Sequence, residues 1–342
     1  MITKRLFDKS KNVWLYELAN DKLKVGVTDF GGAIQYVKIS THVGEKDLCL
    51  GFDNVKDYAE SGTYCGVTVG RVANRIKDAR FTLNGRTYHL TANEGNNHLH
   101  GGIVGFDKRF FVVETNNDVL KLSLISPDGE EGYPGELHFC VEFELNGNAL
   151  EIRYSAEVVG NVSTLWNPTC HTYFNLNGVG DVLNHKLSIN ASRFTPVDSE
   201  LIPTGELLEV VNTPFDFTGL KAIGRDINAD CEQLKLAGGY DHNYVLNGEH
   251  AATAVGDVSG IRLDVYTDMP GLQFYSGNAI KGNGASGKLL PRQGFCLEPQ
   301  YFPNAVNVAQ FDSPVIKPNE KKQHYIKYVF VDGGKNDIQN VK

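Results

Sequence analysis

The chain has 342 residues, 41% hydrophobic and 10% aromatic, which is ample material for a large core and unlike a disordered segment. A net charge of −8 without a Lys/Arg cluster argues against nucleic acid or an anionic membrane surface as the main partner. No apolar run approaches the about 18 residues of a membrane-crossing helix, and MITKRLFDKSKNVW lacks the apolar stretch of a secretion signal. The expectation is therefore a cytoplasmic protein whose six scattered cysteines are free thiols.

Taken in chain order, the apolar residues repeat with a period of two. Leu23, Val25 and Val27 alternate with polar or small neighbours and run into Gly31-Gly32. The segment 54–60 is a short helix candidate, and Asn84-Gly85 marks a turn. Leu120, Leu122 and Leu124 alternate before Pro127-Asp128-Gly129. Phe139, Val141, Phe143 and Leu145 then alternate with His138, Cys140, Glu142 and Glu144 up to Asn146-Gly147. Leu150, Ile152, Tyr154, Ala156 and Val158 complete a hairpin with one buried and one wet face. Asn-Gly recurs at 177–178, 247–248 and 283–284, each time between strand-like runs, and 218–236 is the other helix candidate. No fixed-period repeat or linker divides the chain. The reading is one all-β domain over 1–342, a large antiparallel β-sandwich.

Six segments carry dense functional side chains. Gly70-Arg71-Val72-Ala73-Asn74-Arg75-Ile76 holds two arginines and an asparagine but lacks the spacing of a phosphate-binding loop. Each arginine alone reads most simply as a surface or sheet-edge ion pair. In Asn96-Asn97-His98-Leu99-His100-Gly101-Gly102 the two histidines would share one face of a strand, a metal-ligand spacing that no nearby acid completes. A structural, hydrogen-bonded role suits His98. Trp166-Asn167-Pro168-Thr169-Cys170-His171-Thr172-Tyr173-Phe174 sets a histidine among amides and rings, where it can exchange a proton. Tyr240-Asp241-His242-Asn243-Tyr244 and Pro270-Gly271-Leu272-Gln273-Phe274-Tyr275 offer an acid and an amide. Last, the apolar run Phe295-Cys296-Leu297 delivers Glu298 to a stretch that turns polar and loop-like through Gln300, Tyr301, Pro303, Asn304 and Asn307. A carboxylate at such a rim can be desolvated enough to act as a base, and amides and rings suit a neutral polyhydroxyl ligand.

Together the segments GRVANRI, NHLHGG, NPTCHTYFNL, GGYDHNY, PGLQFYSGN and CLEPQYFPNAVN resemble, in order, the aldose 1-epimerase (galactose mutarotase) family, from about residue 70 to residue 307. The resemblance implies a large antiparallel β-sandwich and an isomerase of hexose metabolism that interconverts α and β anomers of aldohexoses such as galactose and glucose. It assigns Glu298 as catalytic base and His171 as catalytic acid, with Asn74, Arg75, His100, Asp241 and Gln273 holding the sugar. It implies no cofactor and no metal, a monosaccharide as the small-molecule partner, and a monomer or weak homodimer. Two alternatives share the fold: an epimerase of hexose 6-phosphates, for which Arg71 or Lys108 would have to meet the phosphate, and a non-catalytic sugar sensor. A glycosidase would need a second carboxylate, with Asp241 the only candidate.

Overall fold

The computed structural model describes residues 1–284 and 287–333. Its frame is a nine-stranded antiparallel sheet. The expected hairpin is its centre, formed by Glu136–Asn146 and Ala149–Val159 with Asn146 opposite Ala149. Val119–Ser126 flanks one side of the hairpin, and the late strand Lys321–Val331 flanks the other. A six-stranded sheet runs in the spatial order Tyr173–Phe174, Phe295–Gln300, Gly271–Tyr275, Asp241–Leu246, Ala191–Phe194, Leu208–Glu209. An N-terminal five-stranded meander over residues 2–47 is the third large sheet.

One core joins all three, because each contributes its period-two apolar face. Leu122, Val141 and Ile152 come from the nine-stranded sheet, Leu272, Phe274 and Leu297 from the six-stranded sheet, and Val25 and Val37 from the meander. The sandwich expected from the alternation is present.

Local expectations fare unevenly. The helix at 54–60 forms as Val55–Glu60, with Asn54 Oδ1 accepting from Asp57 N at 2.9 Å as its cap. The helix expected over 218–236 is confined to Glu232–Ala237. The residues before it instead spend Phe217, Ile223 and Ile227 on the sandwich core, and Lys221–Ala222 adds an edge strand to the nine-stranded sheet. Asn84-Gly85 turns a hairpin, with Leu83 opposite Arg86. Asn247-Gly248 links strands of different sheets, and Asn283–Gly284 is itself a strand rather than a turn. No helix among the described residues is long and apolar enough to cross a membrane.

Candidate active site

The strand Phe295–Gln300 is buried along its whole length. Phe295 and Leu297 face the sandwich core, so the alternate residues Cys296, Glu298 and Gln300 face the other way, toward loops that cover the six-stranded sheet. Those loops and Glu298 enclose a cavity of about 200 Å³ lined by Asn74, Arg75, His100, His171, Asp241 and Glu298, together with Thr63, Tyr64, Glu94, Tyr173 and Tyr275. Six of the seven expected site residues thus line one cavity. Gln273 stands one step back, its Nε2 donating to Asp241 Oδ1 at 2.7 Å.

Short pieces of sheet bring the distant segments together. Arg75–Ile76 pairs with His98–Leu99, and Thr169–Cys170 pairs with Thr68–Val69. Asn74 and His100 lock each other: His100 N donates to Asn74 O at 3.1 Å and Asn74 N donates to His100 Nδ1 at 3.2 Å. Nδ1 of His100 is therefore an acceptor, which leaves Nε2 as the donor of the neutral ring. The close crossing demands a glycine after His100. At Gly101, with φ +89°, a Cβ would lie 1.9 Å from Gly70 O.

His171 Nε2 lies 3.7 Å from Glu298 Oε1, and both side chains are buried. Burial, with Asp241 adding repulsion and Arg75 opposing it, holds the Glu298 carboxyl well above the usual carboxylate range. Burial pushes His171 down to about 4. Burial thus favours the neutral form of both groups, whereas the chemistry expected from sequence needs a carboxylate beside an imidazolium. Burial also depresses His100, with His171 and Arg75 adding to the effect, and raises Asp241 against the pull of Arg75. Arg75 is fixed by a two-point ion pair with Glu94, at 2.6 Å and 2.7 Å.

Several single-residue readings are corrected. Neither arginine of the first motif is a surface residue, although Arg75 does form an ion pair, with Glu94. Arg71 is 2% exposed, and its guanidinium donates to Ser126, Thr164 and the carbonyls of Ser126, Pro127, Pro134 and Gly135. Lys108 Nζ is held by Ile103 O at 2.8 Å, so both cations named for a sugar phosphate are engaged elsewhere. His98 and His100 do not converge. His98 bonds Thr91 O and Tyr133 Oη, both at 2.7 Å, in the structural role expected of it. Gln300 ends the buried strand instead of opening a loop, while Asn304 does shape the loop by accepting from Lys77 N. Tyr301 turns toward His324, away from the cavity.

Among the described residues, His171, Cys296 and Glu298 offer ligand atoms within 4.8 Å of one another. The imidazole turns Nδ1 to the Cys296 thiol at 3.5 Å and Nε2 to Glu298, so its two nitrogens address different neighbours. Sequence reasoning missed Tyr64 and Glu94. Tyr64, with φ +54°, packs its ring against His100 at 4.7 Å between centroids, the planes tilted by 50°. Both lie outside the recognised motifs, and neither carries a local signal. A larger cavity of about 750 Å³ lies on the solvent face of the nine-stranded sheet. There Arg153 is paired with Glu142, Glu144 and Glu151, and His324 Nδ1 lies 2.9 Å from Asp268 Oδ2.

Residues 15–329 match the family model described as Aldose 1-epimerase. The chain belongs to the aldose 1-epimerase family. A galactose mutarotase of Sus scrofa is 40% identical over 325 residues, 92% of this chain and 93% of the relative. An aldose 1-epimerase of Escherichia coli (strain K12) is 36% identical over 91% of this chain and 93% of its own length. The crystal structure of a galactose 1-epimerase from Lactobacillus acidophilus NCFM superposes with a TM-score of 0.86 at 30% identity, covering 98% of this chain and 99% of that one. The aldose 1-epimerase likeness thus spans the sandwich and every segment that walls the cavity.

Proposed function

We propose that this isomerase interconverts the α and β anomers of a free aldohexose, galactose or glucose, with Glu298 as base and His171 as acid. The observation that carries the reading is the Glu298–His171 pair, 3.7 Å apart at the floor of a cavity walled by polar side chains. With one proton held on His171, the pair is a carboxylate beside an imidazolium. Glu298 takes the proton from the C1 hydroxyl and His171 gives one to the ring oxygen. The C1–O5 bond breaks as the C1=O1 bond forms, and rotation about C1–C2 presents the other face of the aldehyde. The same two groups then close the ring in reverse, so each ends as it began and the cycle consumes nothing.

The remaining residues position the sugar. Arg75, already oriented by Glu94, offers N–H donors, and its charge favours the ionised form of Glu298. His100 offers Nε2–H, while Asp241 and Gln273 offer a linked acceptor and donor. Asn74 acts by fixing His100. Six free thiols suit a reducing, cytoplasmic setting, and a monomer or weak homodimer suits a cavity built from one chain. The test is polarimetry on pure α-galactose and α-glucose. Glu298→Gln and His171→Asn should each lose nearly all mutarotation while keeping the wild-type circular dichroism. Near-normal turnover by Glu298→Gln would sink the assignment.

A further inference from the structure

The pocket floor continues beyond Glu298 as a hidden row of amides. In the antiparallel register Asn243 stands opposite Gln273, Gln273 opposite Glu298, and Gly271 opposite Gln300. Directly paired residues share a sheet face, so all of these side chains occupy the face that carries Glu298. Asn243 is 1% exposed, Gln273 3% and Gln300 0%. Gly271 makes the room: a Cβ there would meet Asn243 Oδ1 at 2.3 Å and the Phe302 ring at 2.7 Å.

Gln273 Nε2 bonds Asp241, but six other polar atoms of the row have no protein partner among the described residues. They are both amide atoms of Asn243, both of Gln300, Oε1 of Gln273 and Oε2 of Glu298. Unpaired buried polar atoms are costly, and ordered waters making about three hydrogen bonds each are the usual way such groups are satisfied. An amide can both give to and accept from a water, whereas a carboxylate oxygen only accepts. When Glu298 is ionised, the form in which it acts as base, a row of amides ending in its carboxylate therefore orients waters toward that carboxylate.

We propose that Asn243, Gln273 and Gln300 hold a string of ordered waters that ends on Oε2 of Glu298, making Asn243 and Gln300 positioning residues for the base. The string holds Oε2 from behind, leaves Oε1 facing His171, and offsets part of the desolvation of the carboxylate. The inference rests on Glu298 being the base. The charged or titrating groups that face Glu298 are His171, Asp241 and Arg75. Cys296 on its own strand, Cys170 and Tyr173 beside it, Tyr275 on the next strand and Tyr328 behind are all neutral, raised by burial.

The test pairs apolar near-isosteres with a polar control. Gln300→Met and Asn243→Leu should lower kcat about 10-fold with little change in KM, and should move the alkaline limb of kcat/KM upward by about half a pH unit, because Glu298 holds its proton more tightly. Gln300→Ser, short enough to admit another water, should return the limb to its wild-type position, and a high-resolution crystal structure should show waters along the row. An unshifted limb in both apolar variants, or a dry row, overturns the proposal even where Glu298→Gln is inactive. An active Glu298→Gln overturns the function on which it rests. If Gln300→Met fails to fold, Asn243→Leu against Gln300→Ser still decides it.

Discussion

Arg71 and Arg75 lie close together in sequence, both buried, and they serve opposite sides of the same wall. Arg71 points into the scaffold, where its fork is satisfied by carbonyls and hydroxyls and lies 5.3 Å from the Tyr133 ring. Arg75 points into the cavity and is held there by Glu94. His98 and His100 repeat the division: His98 bonds Tyr133 on the scaffold side and His100 lines the cavity. Within a few residues the chain thus alternates between side chains that hold the wall up and side chains that face the ligand. Residue type does not distinguish them; the partner does.

That division can be broken by measurement. The largest effect should come from the cavity floor: Glu298→Gln should cut kcat by about 10²–10⁴-fold, the usual size of a general-base contribution, with Tm within a few degrees of wild type. On the scaffold side, Arg71→Met strips donors from several buried acceptors at about 1–3 kcal/mol each, so Tm should fall by about 5 °C or more in calorimetry while KM of the surviving enzyme stays put. Arg75→Met should do the reverse, raising KM about 10-fold or more at nearly constant Tm. A Tm loss in Arg75→Met as large as that in Arg71→Met would erase the distinction. The smallest effect is in the pH profile. Turnover needs the Glu298–His171 pair to hold one proton, so kcat/KM should fall below about pH 4, where His171 takes up a second proton. It should also fall in the alkaline range, as Glu298, raised by burial, loses the last one. A rate that is flat from pH 3 to pH 10 would contradict the proton inventory.

Much of this was legible in the chain itself. The central hairpin and the sandwich follow from strict alternation between Phe139 and Val158, because period-two patterning states which face is buried. The resemblance named seven site residues, and six of them meet in one cavity. What stayed hidden depends on distant partners. Arg71 looked like a surface ion pair because nothing in GRVANRI reveals carbonyls contributed from residues 126–135. Glu94 and Tyr64 carry no motif: the place of Glu94 follows from the pairing of Arg75–Ile76 with His98–Leu99, and that of Tyr64 from the pairing of Thr68–Val69 with Thr169–Cys170. Gln300 looked like loop because its neighbours are polar, whereas long-range pairing with Gly271 keeps it in the strand.

The strand Phe295–Gln300 has no free side, since one face belongs to the sandwich core and the other to the cavity floor. Its backbone amides should therefore exchange with deuterium only through opening of the whole sandwich, in the slowest class of the molecule. A protein built this way has no early, local route to losing its base: on heating, loss of turnover should coincide with global unfolding rather than precede it. Evolution can retune such a site from its loops, but every change to the strand that carries Glu298 is also a change to the core.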